Sequence, residues 1–102
     1  MLTSKQRAEL RALAATADTI VHVGKSGVTQ PVVAQTVDAL RARELVKGRV
    51  LENSLLSARE ACDMLATSCE AESVQVIGSK FVLYKRNPKE PKLLHKKDEK
   101  AR

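Results

Sequence analysis

The stretch that most restricts how this 102-residue chain can fold runs from Thr19 to Pro31, Thr-Ile-Val-His-Val-Gly-Lys-Ser-Gly-Val-Thr-Gln-Pro. The β-branched run Thr19 to Val23 predicts a strand, Gly24 and Gly27 a tight loop, and Thr29 with Pro31 the N-cap and first turn of a helix. Glycine tolerates positive φ and has no side chain, so this loop can turn sharply and leave N–H groups open. The positive end of the following helix points back at the loop, with Lys25 at its tip, an arrangement suited to an anion.

Gly24-Lys25-Ser26 resembles the end of a triphosphate-binding G-x-x-x-x-G-K-S loop, but that pattern needs glycine at position 19, which is Thr19. A phosphodiester backbone is the better candidate anion, and a plain connector the competing reading. Charge supports an anionic partner: the formal charge is +6, and residues 1–78 are balanced with nine basic and nine acidic side chains. The whole excess lies in residues 79–102, which hold nine Lys or Arg against three Asp or Glu.

Around the loop, the period of the apolar residues predicts the remaining elements. Thr3-Ser-Lys-Gln6 has the form of a capping box, opening a helix from residue 4 to about 16 with Leu10, Leu13, Ala14 and Ala17 inward. Its cations Lys5, Arg7 and Arg11 are either a solvated face or part of a binding surface. In the first strand Ile20 and His22 face one way, Val21 and Val23 the other; His22 reads as a hydrogen-bonded sheet residue, since no nucleophile accompanies it. A helix over 30–43 buries Val33, Val37 and Leu40. In the next strand, Leu45 to Leu51, Val46, Gly48 and Val50 share one face and Lys47 and Arg49 the other, as phosphate contacts or an ordinary solvated face.

Ser57-Ala-Arg-Glu60 is a second capping box, starting a helix to about Glu70 with Ala61, Met64 and Leu65 inward. Cys62 and Cys69 lie about 10 Å apart along it, too far for a mutual disulfide, and match no zinc spacing. They read as reduced core residues, and neither metal nor cofactor is expected. Val74–Ile77 and Phe81–Tyr84 flank Gly78 in an antiparallel hairpin. Phe81 and Tyr84 project from opposite faces, which argues against paired stacking aromatics, while Tyr84 and Arg86 share a face and suit either a base and a phosphate or a sheet edge. Residues 87–102 have few apolar side chains and read as a disordered basic arm. With no secretory signal and no apolar run of membrane-spanning length, a cytoplasmic monomer away from membranes is expected.

The order is αβαβαββ, an α/β layout with a four-stranded mixed sheet packed by helices. Over residues 2–86 the chain resembles the CRM domain, named for chloroplast RNA splicing and ribosome maturation, in its free-standing bacterial YhbY-like form. The resemblance is carried by Leu-Thr-Ser-Lys-Gln-Arg at 2–7, Val-Gly-Lys-Ser-Gly-Val-Thr at 23–29, Glu-Leu-Val-Lys at 44–47, Val-Gln-Val-Ile-Gly at 74–78 and Val-Leu-Tyr at 82–84. It implies a fold like the C-terminal domain of bacterial translation initiation factor three. It also implies an RNA-binding module over residues 1–86, bound to ribosomal RNA in large-subunit precursors; no enzyme is expected, because His22, Ser26 and the cysteines suggest no triad, paired carboxylates or metal cluster. The loop Gly24, Lys25, Ser26, Gly27 would be its contact element; the residue patterns above add Thr29, Lys47, Arg49, Tyr84 and Arg86 as further candidate contacts. A protein-binding adaptor is the alternative. Two positions depart from the family pattern: Gly48, in place of an apolar strand residue, and Lys85, inserted between Tyr84 and Arg86.

Overall fold

A computed structural model describes residues 2–87. Its elements are α1 (Ser4–Ala15), β1 (Thr19–Val23), α2 (Gln30–Arg43), β2 (Leu45–Val50), α3 (Ala58–Cys69), β3 (Glu72–Ile77) and β4 (Lys80–Tyr84), the αβαβαββ order read from the sequence. The capping boxes at α1 and α3 both close, Thr3 with Gln6 and Ser57 with Glu60, so the first orphan N–H groups of these helices are satisfied by side chains.

The sheet order is β1-β2-β4-β3, with β1 parallel to β2 and the other pairs antiparallel. The sheet-edge alternative for Tyr84 does not hold, because β4 is an inner strand and both its faces are covered. On one side α2 and α3 pack over Val21, Val23, Val46, Phe81 and Leu83. On the other, α1 packs Leu10 and Ala14 against Val74, Val82 and Tyr84. A sheet buried on both faces needs apolar residues at consecutive positions, which is why Phe81, Val82, Leu83 and Tyr84 are all buried.

Two bulges interrupt the alternation. On β1, Thr19 pairs with Lys47 and Val21 with Gly48, leaving Ile20 as the extra residue; it packs toward the α2/α3 core instead of sharing a face with His22. On β3, Val74 is the extra residue between Ser73 and Gln75, which puts Val74 under α1 and Val76 toward α2 and α3. Other expectations are corrected by exposure. Leu13 is 44% exposed, because Leu10 and Ala14 already fill the contact of a single helix with the sheet. His22 is exposed and makes no side-chain hydrogen bond among the described residues. Val33 and Val37 are only half-buried, while Thr36 is fully buried, its Oγ1 donating to the Val32 carbonyl at 2.8 Å.

Gly48 does not disturb β2, which continues to Val50. A Cβ there would collide with the Phe81 ring lying directly across the strand pair. The missing side chain is the space that the largest fully buried side chain occupies. Glu44 ends α2 at φ 64° with its side chain fully buried. Its carbonyl accepts from the Lys85 N–H at 2.9 Å and its carboxylate from the Asn87 N–H, so Glu44 holds the segment that leaves β4. The expected basic arm, apart from Asn87, lies outside the described residues.

Gly48→Ala is expected to destabilise the domain by about 1–3 kcal/mol through overpacking, with little effect on its secondary structure. Combining it with Phe81→Leu should recover part of that loss, giving a non-additive double-mutant cycle in urea unfolding. Additive losses would show that the ring and the glycine are not coupled.

Candidate nucleic-acid interface

Three connections meet at one end of the sheet: the Gly24–Gly27 loop after β1, residues 51–57 after β2, and the Gly78-Ser79 turn before β4. Hydrogen bonds join them, Leu51 N–H to the Val23 carbonyl at 2.9 Å and Val50 N–H to the Ser79 carbonyl at 2.8 Å. The loop is a four-residue turn closed by the Gly27 N–H donating to the Gly24 carbonyl at 3.0 Å. That bond uses one of the N–H groups expected to be open. It also pushes Lys25 and Ser26 out to the exposed corner of the turn.

The two glycines are not equivalent. Gly27 has φ +75°, the left-handed region where any Cβ is strained. At Gly24 a Cβ would meet only ordinary contacts, 3.6 Å from Leu51 Cδ1 and 3.7 Å from Asn53 Oδ1, so only Gly27 has a backbone that demands glycine. Thr29 stands at the N-cap of α2 with extended backbone, but its side chain makes no capping bond. α2 therefore begins without the reciprocal side-chain cap that closes α1 and α3, and its positive end follows directly from the glycine turn.

Beside the turn is a shallow depression of about 300 Å³ lined by Lys25, Ser26, Gly27, Val28, Leu56 and Met64, with Leu55 at its rim. Met64, expected in the core, is 44% exposed, and Leu55 is 93% exposed. α3 buries Ala58, Ala61, Cys62, Leu65 and Cys69, so Met64 falls on the flank of that stripe. The exposure of Leu55 and Met64 is not legible in the sequence. Leu55 sits in a turn with no period to orient it; Met64 sits one position before the buried Leu65, where helical spacing alone does not separate flank from core.

The remaining expected contacts are dispersed. Lys47 and Arg49 do share a face, but it is the α1 face of the sheet. There the Lys47 ammonium donates to the Ala14 carbonyl at 3.0 Å, a second bond to an acceptor that the Ala17 N–H reaches at 3.1 Å, while Arg49 is exposed. The α1 cations separate too: Arg7 donates to the Ser73 carbonyl at 2.8 Å, Lys5 is exposed, and Arg11 borders a groove with Lys47 and Lys80.

Tyr84 and Arg86 lie at the opposite end of the sheet, where Leu45 pairs with Tyr84, roughly 17 Å along β2 from the loop end. Tyr84 is 3% exposed in the core under α1, so its proposed role as a base contact is corrected: the ring has no free face. Burial raises the pKa of its phenol, and Arg86 nearby partly lowers it, although the hydroxyl has no hydrogen bond of good geometry among the described residues. Arg86 is half-buried. The intervening Lys85 bonds the Cys69 carbonyl at 3.0 Å and thereby caps the end of α3.

A four-stranded mixed sheet of this order, covered by helices on both faces, makes this a small α/β domain. The chain belongs to the CRS1/YhbY (CRM) domain family, which matches residues 2–85. It is 39% identical to the probable RNA-binding protein YqeI of Bacillus subtilis over 85% of this chain and 91% of that one. It is 31% identical to an RNA-binding protein of Haemophilus influenzae over 82% and 85%. Among solved structures, a Staphylococcus aureus protein proposed to bind RNA matches with a TM-score of 0.72 at 40% identity, covering 92% of this chain and all of that one.

No group of three or more His, Cys, Asp or Glu able to hold a metal occurs among the described residues. The two cysteines are free and buried. Burial raises the thiol pKa of each, at Cys62 against a hydrogen bond with Ser73 that lowers it, so the folded protein keeps protons that the unfolded chain loses. The stability these thiols confer is complete below about pH 8.5 and is lost as pH rises through their folded values. The urea midpoint should therefore decline above that pH, and less so in Cys62→Ala at matched reference stability. An equal decline in both proteins would show that Cys62 has no part in it.

Proposed function

We propose that this protein binds RNA without turning over a substrate, associates with ribosomal RNA in precursors of the large subunit, and assists their assembly. The observation that carries the reading is the start of α2: a glycine turn with Lys25 at its exposed corner leads into the one described helix whose N-cap side chain makes no capping bond. Unmade donors, the helix dipole and a cation converge there, as a phosphate requires. The family membership and the names of the relatives support RNA as the partner. Gly24, Lys25, Ser26, Gly27 and Thr29 form the proposed grip. A protein-binding adaptor is the second reading, favoured by the exposed Leu55 and Met64. Partner binding that survives nuclease and high salt would select it.

Co-sedimentation with large-subunit precursors at low salt, followed by binding to purified ribosomal RNA, tests the proposal. Affinity should rank wild type first, Lys25→Ala and Gly27→Asn lower, and Gly27→Asp lowest. Asn tolerates the left-handed backbone comparatively well and is uncharged, whereas Asp adds repulsion beside the phosphate. Abolishing one phosphate interaction on a single strand should reduce the log–log salt slope by about 0.7. A folded Gly27→Asp protein that binds as tightly as wild type would show the turn to be only a connector.

A further inference from the structure

The sheet carries a second charged surface that the loop does not use. Across β1, β2 and β4, His22 pairs with Arg49 and Arg49 with Lys80, so their side chains share the α1 face, and all three are exposed. Ile77 of β3 completes this row and is 61% exposed. Beside it a groove of about 350 Å³ is lined by Arg11, Lys47, Lys80 and Gln75, with no acidic residue in its wall.

Like charges directly opposite one another in a sheet repel. Arg49 and Lys80 stand in that relation, and among the described residues neither they nor Arg11 has an acidic partner. Lys47 already serves α1, but Arg49 and Lys80 make no contact that the fold needs. An anion laid across the strands would relieve the repulsion. Neighbouring strands are about 4.8 Å apart, so the row spans about 10 Å, the scale of a short length of nucleic-acid backbone.

Base stacking does not fit this surface. The chain has one Phe, one Tyr and no Trp, and both aromatic rings are buried. The chemistry offered is phosphate contact without an aromatic platform. The loop depression, by contrast, is bounded by Met64 of α3 and so opens on the other side of the sheet.

We propose that Arg49 and Lys80, with Arg11 and Lys47, form a second phosphate-binding surface on the sheet face opposite the loop, so that one domain holds two RNA segments at once. This rests on the RNA-binding reading above. The test uses the full chain and a six-nucleotide single-stranded RNA, too short to reach both faces, with bound oligonucleotides per protein counted by analytical ultracentrifugation at low salt. Arg49→Gln/Lys80→Gln and Lys25→Ala/Gly27→Asn should each lower the count by one, and the four-fold variant by two, with thermal melts confirming folded protein. Donor- and acceptor-labelled oligonucleotides mixed with wild type should show energy transfer that both double variants reduce. The proposal is overturned if the Arg49/Lys80 variant keeps the wild-type count, or if the four-fold variant loses no more than either pair. Absence of any RNA binding by wild type would instead remove the RNA-binding reading itself.

Discussion

The close approach of the Phe81 ring to the Gly48 backbone holds the central strand pair in register. Leu45 then faces Tyr84 and Arg49 faces Lys80, and a shift by one residue would turn every side chain of β4 to the wrong layer. Because both layers are buried, such a shift would expose Phe81 or Leu83 from one core and Val82 or Tyr84 from the other. This register also brings the end of β2 beside the hairpin turn, and the parallel pairing of β1 with β2 adds the glycine loop. The meeting of these three connections at one end of the sheet is thus a consequence of how its centre packs.

The opposite end is built for closure. Glu44 bends the chain out of α2 in a backbone conformation that side chains rarely adopt, and its buried carboxylate and carbonyl hold the segment leaving β4. Lys85 caps α3 from the same segment. Charged residues here satisfy backbone groups that would otherwise be unpaired at helix and strand ends, a role set by desolvation and not by an external ligand. Lys47 adds a second donor to a carbonyl in the last turn of α1. The basic side chains therefore divide by what surrounds them: Lys47 and Lys85 complete the fold, whereas Lys25, Arg49 and Lys80 face solvent and remain available to anions.

Local chemistry made much of the architecture legible. Both capping boxes, the strand-turn-helix junction, the left-handed glycine at 27 and the glycine hairpin at 78 follow from residue types whose preferences act over three or four positions. The element order followed from the same signals, and the motifs spread over residues 2–84 carried the family. Within the site, Lys25 and Ser26 at an exposed turn were likewise readable, because a turn of this length leaves its corner residues nowhere else to go.

Tertiary structure alone decided which readable residues share a surface. Alternation puts Lys47 and Arg49 on one face, but only the docking of α1 occupies the first and leaves the second free. Lys80 meets Arg49 through strand pairing between distant parts of the chain, a long-range relation that no local pattern encodes. The extra residues at Ile20 and Val74 change faces because bulges form between strands, not within them. Tyr84 shows the same limit: an aromatic beside basic residues reads as a binding side chain until an inner strand and a covering helix bury it. The sequence determined the elements and their turns because those depend on neighbours along the chain. Register, strand order and burial settled the surface because they depend on neighbours in space.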